Sequence, residues 1–254
     1  MTSAVAGDLP DLELAERLAR EAGQILLQVR ASGLFSGKAL GKAGDQVANQ
    51  FLIHALAAHR PDDGLLSEES CDTRERLNHE RVWIIDPVDG TREYGECRSD
   101  WAVHVALAVN GRAAIGAVAL PGLDGGVILS GDVALPPPAA IPPHDGAPRL
   151  VVSRSRPAAE ALAVADRIGG ILLPMGSAGA KAMAVVRGEA DIYLHSGGQY
   201  EWDSCAPVAV AQAHGLHCSR IDGSPMLYNR EDTYLPDLLI CRPEWAEQVL
   251  ALIG

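Results

Sequence analysis

The apolar positions of this chain repeat every three to four residues at its start, every two in its middle, and in both rhythms by turns toward its end. From Asp11, the residues Leu14, Leu18, Ala22, Ile25 and Val29 fall on one stripe, so DLELAERLAREAGQILLQVRAS predicts an amphipathic helix. A second helix is expected from Asp45 to about His59, with Ala48, Phe51, Leu52, Ala55 and Leu56 turned inward. RVWIID reads as a strand ending at Asp86. WAVHVALAV and RAAIGAVALP read as two more, joined through Asn110-Gly111, a strong hairpin signal. GGVILS adds another strand. The first half thus predicts two helices and then mostly antiparallel strands.

The segment LPPPAAIPPHDGAPR, 135–149, is proline-rich and aperiodic. It predicts a boundary between subdomains 1–140 and 141–254, or else a long loop inside one domain. Beyond it, strand and helix alternate: RLVVS, PAAEALAVADRIG, ILLPMG, KAMAVVRGEA, DIYLH, and DSCAPVAVAQAHG closed by Gly215. That rhythm suggests an α/β layer. No internal repeat is visible.

Composition narrows the function. The chain carries 21 basic and 33 acidic residues, a net charge of -12. This argues against a nucleic-acid polymer as partner, which calls for a basic face. It leaves room for a small anionic substrate, because bound cations reverse the local field. Five cysteines, an odd number without C-x-x-C spacing, fit a reduced cytoplasmic setting. The start, MTSAVAGDLPD, lacks the basic and apolar regions of a signal peptide. No apolar run reaches the ~18 residues of a membrane span.

The chemistry gathers around WIIDPVDGT, 83–91. A turn needs Pro, Asp and Gly, but it does not need Asp86 as well. Pro87 bends the chain, and Gly90-Thr91 offer backbone amides at the start of a helical turn, where an anion can sit. Two carboxylates beside an anion site make sense with hard cations between them, and one carboxylate shared by two ions would form a clamp for in-line attack at phosphorus. The plain reading is a decorated turn with Asp86 as a cap. Phosphatases that work through an aspartyl-phosphate use D-x-D, whereas these acids stand three apart. Glu68-Glu69 follows Leu65-Leu66 at another candidate strand end, and Asp203 begins a helix. Alone, Glu68 reads as solvated and Asp203 as an N-cap. Only their combination points to a metal site.

LLSEES, WIIDPVDGT and EWDSCAP, in this order, resemble the signature set of the inositol monophosphatase family, Mg²⁺-dependent and lithium-sensitive phosphomonoesterases. Asp45 and GSAGAK, 176–181, fit as well, so the likeness covers nearly the whole chain. It implies the layered α-β-α-β-α sugar-phosphatase fold, with most metal ligands in the first subdomain and the second completing the site. Glu68, Asp86 and the Val88 carbonyl would hold one Mg²⁺, and Asp86, Asp89 and Asp203 a second. Asp45 with Glu68 matches a third, weaker position. Thr91, with Asp45 or Glu68, would orient and deprotonate the attacking water. The amides of Gly90 and Thr91 would hold the phosphate beside Asp89 and Asp203. A homodimer is a further family expectation.

Arg92-Glu93-Tyr94 after DGT, the stretch Val152–Ser155, Ser177–Lys181 and Glu201 look like the 3'(2'),5'-bisphosphate nucleotidase branch. That likeness implies 3'-phosphoadenosine 5'-phosphate, a by-product of sulfate assimilation, as substrate, with Ser153 and Lys181 facing the nucleotide. The plain readings are a solvated Lys181, a capping Ser153, and surface charge at Arg154 and Arg156. The sequence departs from the pattern at Ser204–Pro207, at KAGDQ before Asp45 and at the glycines of GGQYEWD. These departures leave inositol 1-phosphate and fructose 1,6-bisphosphate open as substrates. A non-catalytic metal- or phosphate-binding protein would lack a ligand or Thr91, and neither is missing. His54, His59, His79 and His104 show no ligand spacing, and Cys205 reads as a packed thiol.

Overall fold

Four consecutive residues, Val82 to Ile85, divide the interior between two sides of one sheet. Val82 and Ile84 pack with Val185, Tyr193 and Leu238, while Trp83 and Ile85 pack with Leu14, Leu18 and Leu52. The period of two in a strand produces this split, since successive side chains point to opposite faces. The structure, a computed structural model, describes residues 9–123, 125–139, 142 and 146–253.

The chain begins with α1 (Asp11–Ala31) and α2 (Gly37–His59). Then come β1 (Gly64–Ser67), a 3₁₀ turn at Glu75–Asn78, β2 (Arg81–Asp89), the short α3 (Thr91–Gly95), β3 (Ala102–Val109), β4 (Arg112–Leu120) and β5 (Val127–Asp132). These five strands form one sheet in sequence order, β1 parallel to β2 and the rest antiparallel. The expected hairpin closes β3 onto β4 through Asn110 at φ 50° and Gly111 at φ 73°, the left-handed pair that such a turn demands. Next come β6 (Arg149–Ser153), α4 (Ala159–Ile168), β7 (Ile171–Met175), α5 (Ala178–Val186), β8 (Ile192–Tyr200) and α6 (Glu201–Ala213), followed by β9 (His217–Ser219), β10 (Tyr234–Cys241) and α7 (Pro243–Ile253). The second sheet has the order β7-β6-β8-β10-β9.

Helices α1 and α2 cover one face of the first sheet, α5 and α6 lie between the sheets, and α4 and α7 cover the far face of the second. This is the α-β-α-β-α layering. Val151 and Tyr193 face the middle layer, and their neighbours Leu150, Val152, Ile192 and Leu194 face the outer one. The expected boundary between 140 and 141, and the N-terminal residues 1–8 read for a signal peptide, lie outside the described residues. Among the described residues no helix is long and apolar enough to cross a membrane.

Several elements differ from expectation. Helix α2 starts at Gly37 rather than Asp45. Three glycines mask its first two turns in the sequence, since glycine disfavours helix. Packing overrides that preference: a Cβ on Gly41 would stand 2.7 Å from Thr91 Cγ2, and one on Gly44 would stand 2.6 Å from Tyr94 Cε1. Strand β2 does not end at Asp86 but runs on to Asp89. Strand β8 continues to Tyr200, and α6 begins at Glu201, so Asp203 sits in its first turn rather than at its cap. The last elements, β9, β10 and α7, carried no expectation. Pro236 interrupts the pattern of β10, and its pairing with β8 shifts register between Leu235 and Asp237.

Gly44→Val should be strongly felt, because valine must displace both Tyr94 and Leu26. Overpacking of this kind costs about 1–3 kcal/mol. The expected result is a lower denaturant midpoint with an unchanged slope, read by urea unfolding; an unchanged midpoint would contradict the close approach of α2 to α3.

Candidate active site

An irregularity in β2 aims its acids. Asp86 pairs with His104 and Asp89 with Ala102, so the register shifts between them. Pro87 has no N–H for the ladder, which suits it to such a bulge. The Val88 amide donates to Asp86 Oδ1 at 3.1 Å. Gly90 then takes φ 86°, a left-handed conformation that glycine adopts without strain, and caps α3. Across the cleft, the Tyr200 amide donates to Asp203 Oδ2 at 2.7 Å and fixes that side chain at the start of α6. One oxygen each from Asp86, Asp89 and Asp203 lie within 4.8 Å of one another. Glu68 follows β1, with its amide bonded to the Ile85 carbonyl at 3.4 Å and its carboxyl in hydrogen-bond reach of Asp86.

Crowded acids behave unlike free ones. Burial, and then Glu68, holds Asp86 well above the usual carboxylate range. Asp45 is pushed up to about 7 by burial and by Glu69. Glu68 is pushed up to about 7 by desolvation and by the carboxylates of Glu69, Asp45 and Asp89; the residue as a whole is exposed, so solvent tempers the first cause more than its crowding. Asp203 reaches about 7 through burial and Asp89. Asp89 alone moves down. Burial would raise it, but His104, Lys181 and the Gly179 amide outweigh that. Ala178 and Gly179 donate their amides to its two oxygens at 3.1 and 2.6 Å. His104 Nε2 stands 3.2 Å from Asp89 Oδ2, and its Nδ1 lies 3.0 Å from the Trp202 carbonyl. Burial pulls His104 down, and Asp89 more than restores it, so its pKa ends above the ordinary value. Every donor in this cluster is oxygen, the chemistry of hard cations such as Mg²⁺.

The remaining residues read from the sequence divide between two adjoining cavities. One, of about 200 Å³, is lined by Asp89, Gly90, Ser153, Lys181 and Asp203, together with Arg156 and His195. The other, of about 500 Å³, is lined by Asp45 and Thr91, together with Lys38 and Lys42. The Thr91 hydroxyl stands 3.3 Å from Asp45 Oδ1 and 3.1 Å from the Val88 carbonyl. The Ser153 hydroxyl accepts from the Arg156 amide at 3.2 Å. Lys181 is not solvated. Its ammonium donates to the carbonyls of Gly176 and of Ser177, the latter at 2.6 Å, and burial lowers its pKa to about 8.

Sequence reasoning set aside His104, which the structure places behind Asp89; the one polar residue in an apolar strand was its signal. Arg154, read as surface charge, is tied to Glu93 and Glu96 at 2.7 Å each. This links the second sheet to α3. Glu201, read as a branch marker, is buried and accepts the amides of Asn229 and Arg230. Cys205 is indeed packed away.

Comparison with known proteins adds to this geometry. The model of the inositol monophosphatase family matches residues 9–131 and 150–253. A 3'-phosphoadenosine 5'-phosphate phosphatase of Mycobacterium bovis is 50% identical over 243 residues, covering 92% of this chain and 90% of that one. The 3'(2'),5'-bisphosphate nucleotidase CysQ of Escherichia coli is 29% identical over 232 residues, covering 86% and 94%. The crystal structure of CysQ from Bacteroides thetaiotaomicron superposes with a TM-score of 0.75 at 24% identity, covering 90% and 96%, a likeness of fold.

The acidic cluster predicts a pH dependence of stability. Carboxylates raised from about 4 to about 7 in the folded state bind more protons there than in the unfolded chain. Stability of EDTA-treated protein should therefore fall as pH rises from about 4 to about 7. Millimolar Mg²⁺ should raise the unfolding temperature most at the upper end of that window. Thermal unfolding across pH, with and without Mg²⁺, checks both; a flat profile in EDTA would contradict the crowding.

Proposed function

This chain belongs to the inositol monophosphatase family and is a phosphatase, and we propose that it is a Mg²⁺-dependent 3'(2'),5'-bisphosphate nucleotidase. On this reading it removes the 3'-phosphate of 3'-phosphoadenosine 5'-phosphate, with the 5'-phosphosulfate as a second substrate, in sulfur metabolism. The meeting of Asp86, Asp89 and Asp203 within 4.8 Å beside a cleft lined by Ser153, Lys181 and Arg156 carries the proposal. The half-identical phosphatase over most of the chain supports the choice of substrate.

Glu68, Asp86, Asp89, Asp203 and the Val88 carbonyl would hold two Mg²⁺, with Asp45 and Glu68 at a weaker third position. Bound there, the ions supply charge neutralisation at phosphorus and a lowered pKa for the attacking water. The chain's own groups do the rest. The amides of Gly90 and Thr91 would seat the phosphoryl oxygens. Thr91, already beside Asp45, would orient the water, and Asp45 or Glu68 would take its proton. Ser153, whose oxygen accepts from Arg156, keeps its proton to give to the nucleotide. Lys181 lines the cleft with two of its three donors on the Gly176 and Ser177 carbonyls, leaving its charge and one donor for the substrate. A cytoplasmic setting, supported by five unpaired cysteines, and a homodimer belong to the same proposal.

Phosphate release with Mg²⁺ and with EDTA tests it, comparing 3'-phosphoadenosine 5'-phosphate, inositol 1-phosphate and fructose 1,6-bisphosphate by kcat/KM. The expected preference for the nucleotide is ~100-fold or more, about 2.7 kcal/mol of differential transition-state binding. Equal rates would leave the metal chemistry and overturn the nucleotide assignment. Asp86→Asn should bring turnover to background in the same assay, and near-normal activity would sink the mechanism. Lithium at millimolar concentration should inhibit; insensitivity would count against the position given to Asp45.

A further inference from the structure

Residues 229–233 tie together the two stretches of chain that carry Glu68 and Asp203. Glu201, two residues before Asp203, is 0% exposed. Its two oxygens accept the amides of Asn229 at 2.7 Å and Arg230 at 2.8 Å, while its own amide donates to the Thr233 carbonyl at 2.9 Å. On the other side stands Arg76, 2% exposed. It grips Asp72, four residues after Glu68, through two bonds of 3.1 and 2.7 Å. It also donates to Asn229 Oδ1 at 2.8 Å and to the Arg230 carbonyl at 3.0 Å. Asn229 answers through Nδ2 to the Arg76 carbonyl at 3.2 Å. Its φ of 56° turns side chain and amide toward different partners.

We infer that Arg76, Asn229 and Glu201 form a latch that sets the spacing between Glu68 and Asp203, and so act as positioning residues for the divalent-cation site. The inference rests on reading the acidic cluster as that site. Arg76 and Glu201 meet through Asn229 and Arg230 rather than directly, so their bonds fix where that segment sits between the two stretches. Glu68 comes from the first sheet and Asp203 from a helix beneath the second, with no ladder between them. Groups bonded directly to metal ligands, when removed, weaken metal binding about 10- to 100-fold, and the latch, one step further out, acts at the lower end of that range.

Calorimetric titration of metal-stripped protein with Mg²⁺ tests the latch. Asn229→Gly keeps the left-handed backbone and removes all three side-chain bonds, two to Arg76 and one of 3.4 Å to the His79 carbonyl; Glu201→Gln replaces one acceptor with a donor. Each should raise the Mg²⁺ dissociation constant about tenfold or more. The double variant should lose little beyond the worse single one, because both break one path. Excess Mg²⁺ should restore kcat. Wild-type affinity in Asn229→Gly, even with a lowered melting temperature, overturns the latch, as do fully additive losses. If Glu201→Gln does not fold, Asn229→Gly decides alone. Wild-type protein that binds no Mg²⁺ removes the cation reading and the latch with it, whereas failure of the nucleotide preference leaves both standing.

Discussion

Repulsion among Glu68, Asp86, Asp89 and Asp203 is the constraint around which this molecule is organised. Left to themselves, like charges in a poorly solvated cleft disperse or take up protons. Here three of the four sit well above their ordinary pKa. The fold must hold them together against that tendency, and it does so from several directions. β2 supplies two acids through one bulge, β1 delivers Glu68 alongside, and α6 brings Asp203 from the middle layer.

The middle layer explains why Asp89 differs from its neighbours. Helices α5 and α6 both begin at this cleft, and the N-terminal end of a helix favours negative charge. The first amides of α5 take the oxygens of Asp89, while Asp203 in the first turn of α6 is held by the Tyr200 amide. His104 stands behind Asp89. Asp89 is thus favoured in its ionised form, while an incoming cation would displace into solvent the protons that the crowded acids around it hold. The same geometry assigns work to groups that do not touch the cluster. Lys181 pins the turn before α5, and Arg154 joins the second sheet to α3.

Much of this was legible in the chain, and the failures have physical causes. Strand β6 falls where RLVVS placed it because a short β-branched run bounded by polar residues admits few readings. The start of α2 was hidden because glycine argues against helix locally, while Thr91 and Tyr94, some 50 residues on, require the helix to have no side chains there. Asp86 looked terminal because Pro87 usually ends a ladder, but a bulge let the strand resume. Asp203 looked like a cap because the capping signal is the same one or three residues into a helix. The segment 229–233 carries no periodicity, since its role lies in backbone groups offered to Glu201 and Arg76.

The sequence by itself determined the succession of helices and strands, through periods of two and of three to four, while the motifs LLSEES, WIIDPVDGT and EWDSCAP, through their likeness to a known family, implied the layered fold and the candidate acids. Those properties are local, written in runs of neighbouring residues. Only the tertiary structure decided which carboxylates face one another, that Asp89 rather than Asp86 is held ionised, that Lys181 is buried, and that Glu201 is held by the amides of Asn229 and Arg230. Each depends on residues far apart in the chain, where distance, burial and charge are set by packing and leave no pattern in one dimension.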